Sequence, residues 1–139
     1  MERRVVITGL GAITPIGENV NETWESILNK KCGIDNISLF DSTNFKTKLD
    51  AEVKNYNPLD YFDLKQSKRL DRVSQFAIIA AREAVTSSGI TKENTDMNRV
   101  GVIISTGIGG LNTIEEQTEV LLKKGPDRVS PMYIPMCIG

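Results

Sequence analysis

The chain contains no histidine, only two cysteines and few aromatic residues (6%). Without histidine it cannot build a Ser-His or Cys-His nucleophile pair from its own residues, so any catalysis it joins draws on groups encoded elsewhere. Cys32 and Cys137 lie far apart and form no C-x-x-C; with histidine also missing, a structural zinc site is not expected. Long hydrophobic runs are absent as well. Val5-Val6-Ile7 is too short for the apolar core of a signal peptide, and nothing approaches membrane-spanning length. A cytoplasmic protein with free thiols is the expectation. Seventeen basic and eighteen acidic residues give a net charge of −1. No excess of positive charge draws nucleic acid, and a charged partner must be met through a local patch.

What is present centres on Arg99-Val100-Gly101-Val102-Ile103-Ile104-Ser105-Thr106-Gly107-Ile108-Gly109-Gly110-Leu111. The β-branched run predicts a strand buried on both faces, ending in a glycine turn. Leu111, Ile114, Leu121 and Leu122 then recur at helical spacing until Lys123-Lys124-Gly125-Pro126 closes the helix. A strand passing through glycines into a helix is where open α/β sheets place ligands.

At 139 residues and 40% hydrophobic, the chain amounts to one soluble α/β domain. Arg4 to Ile7 reads as an opening strand. Asn19-Val20-Asn21-Glu22 has capping-box spacing for a helix presenting Trp24, Ile27 and Leu28, with Gly33 as its stop. Residues 35–47 read as an ordered loop, and Leu49, Ala51 and Val53 as a short half-exposed strand. Asn57-Pro58 marks a turn, and Tyr61-Phe62 the start of a short helical segment. The longest helix is expected from about Ser67 to Ser88, with Leu70, Val73, Ala77, Ala80, Ala81 and Ala84 on its apolar face and Gly89 as cap. Ser130 to Gly139 is apolar and uncharged, unlike an ordinary frayed terminus. With few strands for a complete sheet, this predicts a fragment whose apolar surface stays uncovered.

Gly9-Leu10-Gly11 and Gly107-Ile108-Gly109 invite a dinucleotide reading, but neither has the third glycine, and no phosphate-binding G-x-x-x-x-G-K-[ST] occurs. Lys65, Lys68, Arg69 and Arg72 form a basic stripe, and Lys123, Lys124 and Arg128 a second cluster. Charge spacing alone fits a solvated helix face; docking of an acidic partner is the functional reading. Cys137, flanked by Met136 and Ile138 with no cation nearby in sequence, reads as a buried, inert thiol.

Taken together, these segments resemble the N-terminal part of the β-ketoacyl-acyl-carrier-protein synthases, closest to the elongating type II condensing enzymes. The likeness is carried by Arg4 to Gly11, Thr14-Pro15-Ile16-Gly17, Trp24, Gly33-Ile34, Phe40-Asp41, Ser105 to Leu111 and Ser130-Pro131, all in the family's order. The resemblance implies a thiolase-like α/β fold, layered αβαβα, of which this chain is an incomplete N-terminal half. It also implies a homodimer that performs a decarboxylating Claisen condensation with no metal or redox cofactor. In such enzymes a cysteine thiolate takes the acyl chain from acyl carrier protein. Histidines then help decarboxylate malonyl-carrier-protein, whose carbanion attacks the thioester.

On this resemblance the chain, residues 1–139, stops before the nucleophile segment, Cys137 is not the nucleophile, and no catalytic residue is assigned. Binding roles carry over instead. Ile108, with Gly107 and Gly109, matches the neck of the acyl pocket, and Tyr133 an aromatic position lining the partner subunit's pocket. Lys65, Lys68 and Arg69 match the region meeting acyl carrier protein, joined by Lys123, Lys124 and Arg128. Two other classes stay open: a non-catalytic partner subunit of the chain-length-factor type, and a small nucleotide-binding module.

Overall fold

Asn19 opens the first helix. In the computed structural model, which describes residues 4–138, its side-chain oxygen accepts the Glu22 N–H at 2.9 Å and α1 runs Val20–Leu28. The Glu22 carboxylate in turn accepts the Glu18 N–H at 2.9 Å. At the other end the Lys31 N–H donates to the Ser26 carbonyl (2.9 Å) and the Lys30 N–H to the Ile27 carbonyl (3.0 Å), the paired bonds of a Schellman closure. Its left-handed residue is Lys30, φ 56°. The expected stop at Gly33 is thereby corrected: the closure forms three residues earlier, and Gly33 lies against Pro15 and Ile16.

The chain sorts into two compact units: residues up to Tyr56 with Ile79–Thr95, and Asn57–Ile78 with residues from Asp96 onward. In the first, β1 (Asp35–Asn36) pairs antiparallel with β2 (Leu49–Asp50) in the register Asp35↔Asp50 and Asn36↔Leu49. The segment expected to be loop therefore supplies a strand, and the strand expected over 49–53 shrinks to two residues. Buried Glu52 accepts the Ser38 hydroxyl (2.6 Å) and the N–H groups of Ser38 (3.0 Å) and Leu39 (3.1 Å). The Ser38 hydroxyl, above all, holds this carboxyl below the usual glutamate range, against the opposing effect of desolvation.

In the same unit, residues 9–12 lie directly on the second half of α3 (Arg72–Ser88). A Cβ on Gly11 would stand 1.8 Å from the Ala80 carbonyl oxygen, and one on Gly9 2.1 Å from that of Ala84. The two glycines serve close packing against an alanine-lined helix. The Glu83 carboxylate accepts the N–H groups of Ala12 (2.9 Å) and Val20 (3.0 Å), while the Ser87 hydroxyl bonds both main-chain groups of Leu10. The opening strand expected at Arg4 to Ile7 is not formed: these residues belong to no ladder, and among the described residues no strand lies beside them. Val5 and Ile7 are exposed.

The second unit holds 3-10 turns at Pro58–Asp60, Met97–Arg99 and Pro126–Arg128, with α2 (Leu64–Ser67), the first half of α3, α4 (Leu111–Lys124) and α5 (Tyr133–Cys137). Phe62 is buried within it. The helix expected from about Ser67 begins only at Arg72, and a short break separates it from α2. Asp71 causes the break by accepting the Val73 N–H at 3.1 Å, and the Gln75 amide holds it by donating to the carbonyls of Ser67 (3.0 Å) and Leu70 (2.9 Å). Helix α4 forms as expected. The strand before it does not: residues 100–106 belong to no ladder, and Val102 (81%) and Ile103 (97%) are exposed where burial on both faces was predicted. A strand needs hydrogen-bonded neighbours, and among the described residues the only sheet is the β1–β2 pair.

Candidate functional site

The glycine turn 107–110 is held by two hydrogen bonds, both within the second unit. The Gly109 N–H donates to the Thr106 hydroxyl oxygen at 3.1 Å, and the Gly110 N–H to the Cys137 carbonyl at 2.9 Å. Gly109 has φ +87°, and a Cβ there would stand 2.2 Å from that same carbonyl oxygen. The turn is thus clipped to the end of α5. Ile108 projects from it, 70% exposed.

Gly110 is the N-cap of α4 and offers no side chain to the helix's free N–H groups. Asp71 supplies the cap from a distance. Its carboxylate accepts the Thr113 N–H (3.1 Å) and hydroxyl (2.6 Å), while its other oxygen caps α3. A Cβ on Gly110 would stand 2.7 Å from the Asp71 carboxylate, so only glycine lets the acid in. Asp71, Gln75 and Thr113 are all buried. Sequence reasoning missed them. The available signal was Asp71 and Gln75, two polar residues one turn apart beside the expected apolar positions Leu70 and Val73.

Tyr133 starts α5, half-buried, and donates its N–H to the Ser130 carbonyl at 3.0 Å. The Ser130 N–H donates to the Gln117 amide oxygen at 2.8 Å, which ties this segment to α4. Beside the turn an apolar recess of about 160 Å³ is lined by Val73, Ala77, Ile78 and Ile104 and reaches Thr106; Ile108 stands outside its lining. Cys137 is half-buried rather than buried, its thiol directed to the Ile134 carbonyl at 3.5 Å, and Cys32 is exposed.

The basic residues divide. Lys65 lies on α2, and Lys68 and Arg69 follow it directly; all three are exposed. Arg72, the fourth of the stripe, stacks over the Phe76 ring at 4.9 Å. Lys123, Lys124 and Arg128 are all exposed, and Lys123 is ion-paired with Glu119 one turn back, which holds that carboxyl below its usual range.

The family model of the β-ketoacyl synthase N-terminal domain matches residues 2–138. The 3-oxoacyl-[acyl-carrier-protein] synthase 2 of Staphylococcus aureus (strain N315) is 46% identical over 136 residues, covering 98% of this chain and 33% of that protein. The chain spans about a third of the length of the curated relatives it matches. Among solved structures, the ishigamide ketosynthase/chain length factor matches with a TM-score of 0.83 at 28% identity, over 99% of this chain and 34% of that one. A type II polyketide ketosynthase in complex with its acyl carrier protein matches with a TM-score of 0.77 at 23% identity, over 99% and 37%.

Proposed function

Because this chain belongs to the β-ketoacyl synthase N-terminal domain family, with its thiolase-like α/β fold, we propose that it is the N-terminal part of a 3-oxoacyl-[acyl-carrier-protein] synthase that elongates fatty acyl chains. The observation that carries this reading is 46% identity, along 98% of the chain, to a protein of that name. The reaction joins an enzyme-bound acyl thioester to the carbanion left when malonyl-carrier-protein loses CO₂. In this reading the nucleophilic cysteine and the two histidines come from the rest of the synthase, and residues 1–139 serve in binding.

In this reading residues 1–139 are one part of the synthase's N-terminal domain, within a cytoplasmic homodimer. Ile108, Gly107 and Gly109 shape the neck of the acyl pocket, and Tyr133 lines that of the partner subunit. Lys65, Lys68 and Arg69 meet the acidic face of acyl carrier protein, with Lys123, Lys124 and Arg128 beside them. The exposure of Lys65, Lys68 and Arg69 supports this, as does the carrier-protein complex of a structural neighbour. Pairing with Glu119 leaves Lys123 the weakest contributor. No described helix is long and apolar enough to cross a membrane.

The test is a condensation assay on a full-length synthase carrying these residues as its N-terminal third, with acyl- and malonyl-carrier-protein. Formation of 3-oxoacyl-carrier-protein is expected, and none from the isolated chain. No condensation, together with another residue where the downstream nucleophilic cysteine belongs, would replace this reading with the chain-length-factor type of partner subunit.

A further inference from the structure

Three buried polar side chains join the basic helix α2 to the glycine turn. Gln75 holds the carbonyls of Ser67 and Leu70 at the end of α2, one turn after Asp71. Asp71 holds Thr113 by two bonds and stands against Gly110, so that the first turn of α4 cannot move without breaking a buried charge-assisted contact. Gly110 immediately follows the turn that bears Ile108 and is fixed on its other side by the Cys137 carbonyl. The segment preceding the turn has no comparable anchor, since residues 100–106 are exposed and outside any ladder.

We propose that Asp71 is a positioning residue for acyl-chain selection: through Thr113 and Gly110 it sets where Ile108 stands, without itself touching the acyl chain. This rests on the reading of Ile108 as the neck of the acyl pocket. The chemistry suits the task. A carboxylate that accepts from three donors is held more firmly than a group with a single hydrogen bond, and displacement of a substrate-positioning group by about an ångström can change rates about a hundredfold.

The experiment uses a full-length synthase carrying these residues as its N-terminal third and measures kcat/KM for long and short acyl-carrier-protein primers. Asp71→Asn keeps the side chain's shape but removes its charge, and Thr113→Val removes the hydroxyl. Each is expected to shift the long-to-short ratio about tenfold, and Thr113→Ser to restore it. A uniform fall for all primers, with the ratio unchanged, would overturn the proposal in favour of a purely structural role. So would insolubility of both Asp71→Asn and Thr113→Val. Ile108→Phe, run in parallel, separates the two levels. If it moves the ratio and the Asp71 and Thr113 variants do not, the positioning role fails alone; if it does not, the pocket-neck reading fails and the proposal with it.

Discussion

The Asp71 carboxylate accepts both the main-chain N–H and the hydroxyl of Thr113, forty-two residues further along the chain, at 3.1 and 2.6 Å. One acid thereby caps two helices, its second oxygen serving the start of α3. The arrangement requires a bare α-carbon at Gly110. Gly110→Ala would drive a methyl into the carboxylate and is expected to cost about 1–3 kcal/mol, read as a lowered denaturation midpoint. Combined with Asp71→Ala the losses should be less than additive, because the clash disappears with its partner. Additive losses would show that the two sites are independent.

Lys30 holds a left-handed conformation that a glycine adopts without strain. Lys30→Gly is expected to stabilise the chain by about 0.5–1 kcal/mol, with a higher midpoint and no change in α1 helicity. A destabilised variant would mean that the lysine side chain contributes more than its backbone costs.

The beginning of α1 was legible and its end was not, for related reasons. Asn19 and Glu22 announce a start through side-chain chemistry that spacing alone reveals, whereas the closure at Lys30 uses main-chain bonds that this residue type does not advertise. The break between α2 and α3 was hidden similarly: charge and apolar spacing run on through Lys68 to Arg72, and only the bonds of Asp71 and Gln75 divide them. Helix α4 was readable because its periodicity and its Lys-Lys-Gly-Pro stop agree. The run Val102-Ile103-Ile104 has strand composition, but a ladder also needs partners, which composition cannot supply. At the candidate site, sequence resemblance located the turn and the basic residues; the acid that braces the turn was visible only through folding.

Glu52 carries a pH signature. Its carboxyl is held below the ordinary glutamate value in the folded chain, chiefly by the Ser38 hydroxyl. The contribution it makes is therefore fully present above the ordinary value and is lost as pH falls through the lowered folded one. Amide exchange at Ser38 and Leu39 is expected to lose protection over that acidic window. In Glu52→Gln the same amides should respond much less to pH; an unchanged profile would exclude Glu52 as the titrating group.

Charge reversal at Lys65, Lys68 and Arg69 in a full-length synthase is expected to raise KM for carrier-protein substrates about tenfold. Turnover of a small acyl-thioester donor should hardly change, and added salt should shrink the difference between variant and wild type. Equal losses with both substrates would remove docking from these residues.

Ile108→Phe adds bulk at the glycine turn. Long primers are expected to lose about tenfold or more in kcat/KM while short ones are spared. Equal effects on long and short primers would refute the pocket-neck assignment.

The glycine turn is secured unevenly. After it, Gly110 and Thr113 are fastened to Asp71 and to the Cys137 carbonyl; before it, Val102 and Ile103 stand bare. A loop braced mainly on one side takes its position from that side. Ile108 stands two residues from Gly110 and projects outward, so an error of about a few tenths of an ångström at the brace would reach its side chain directly.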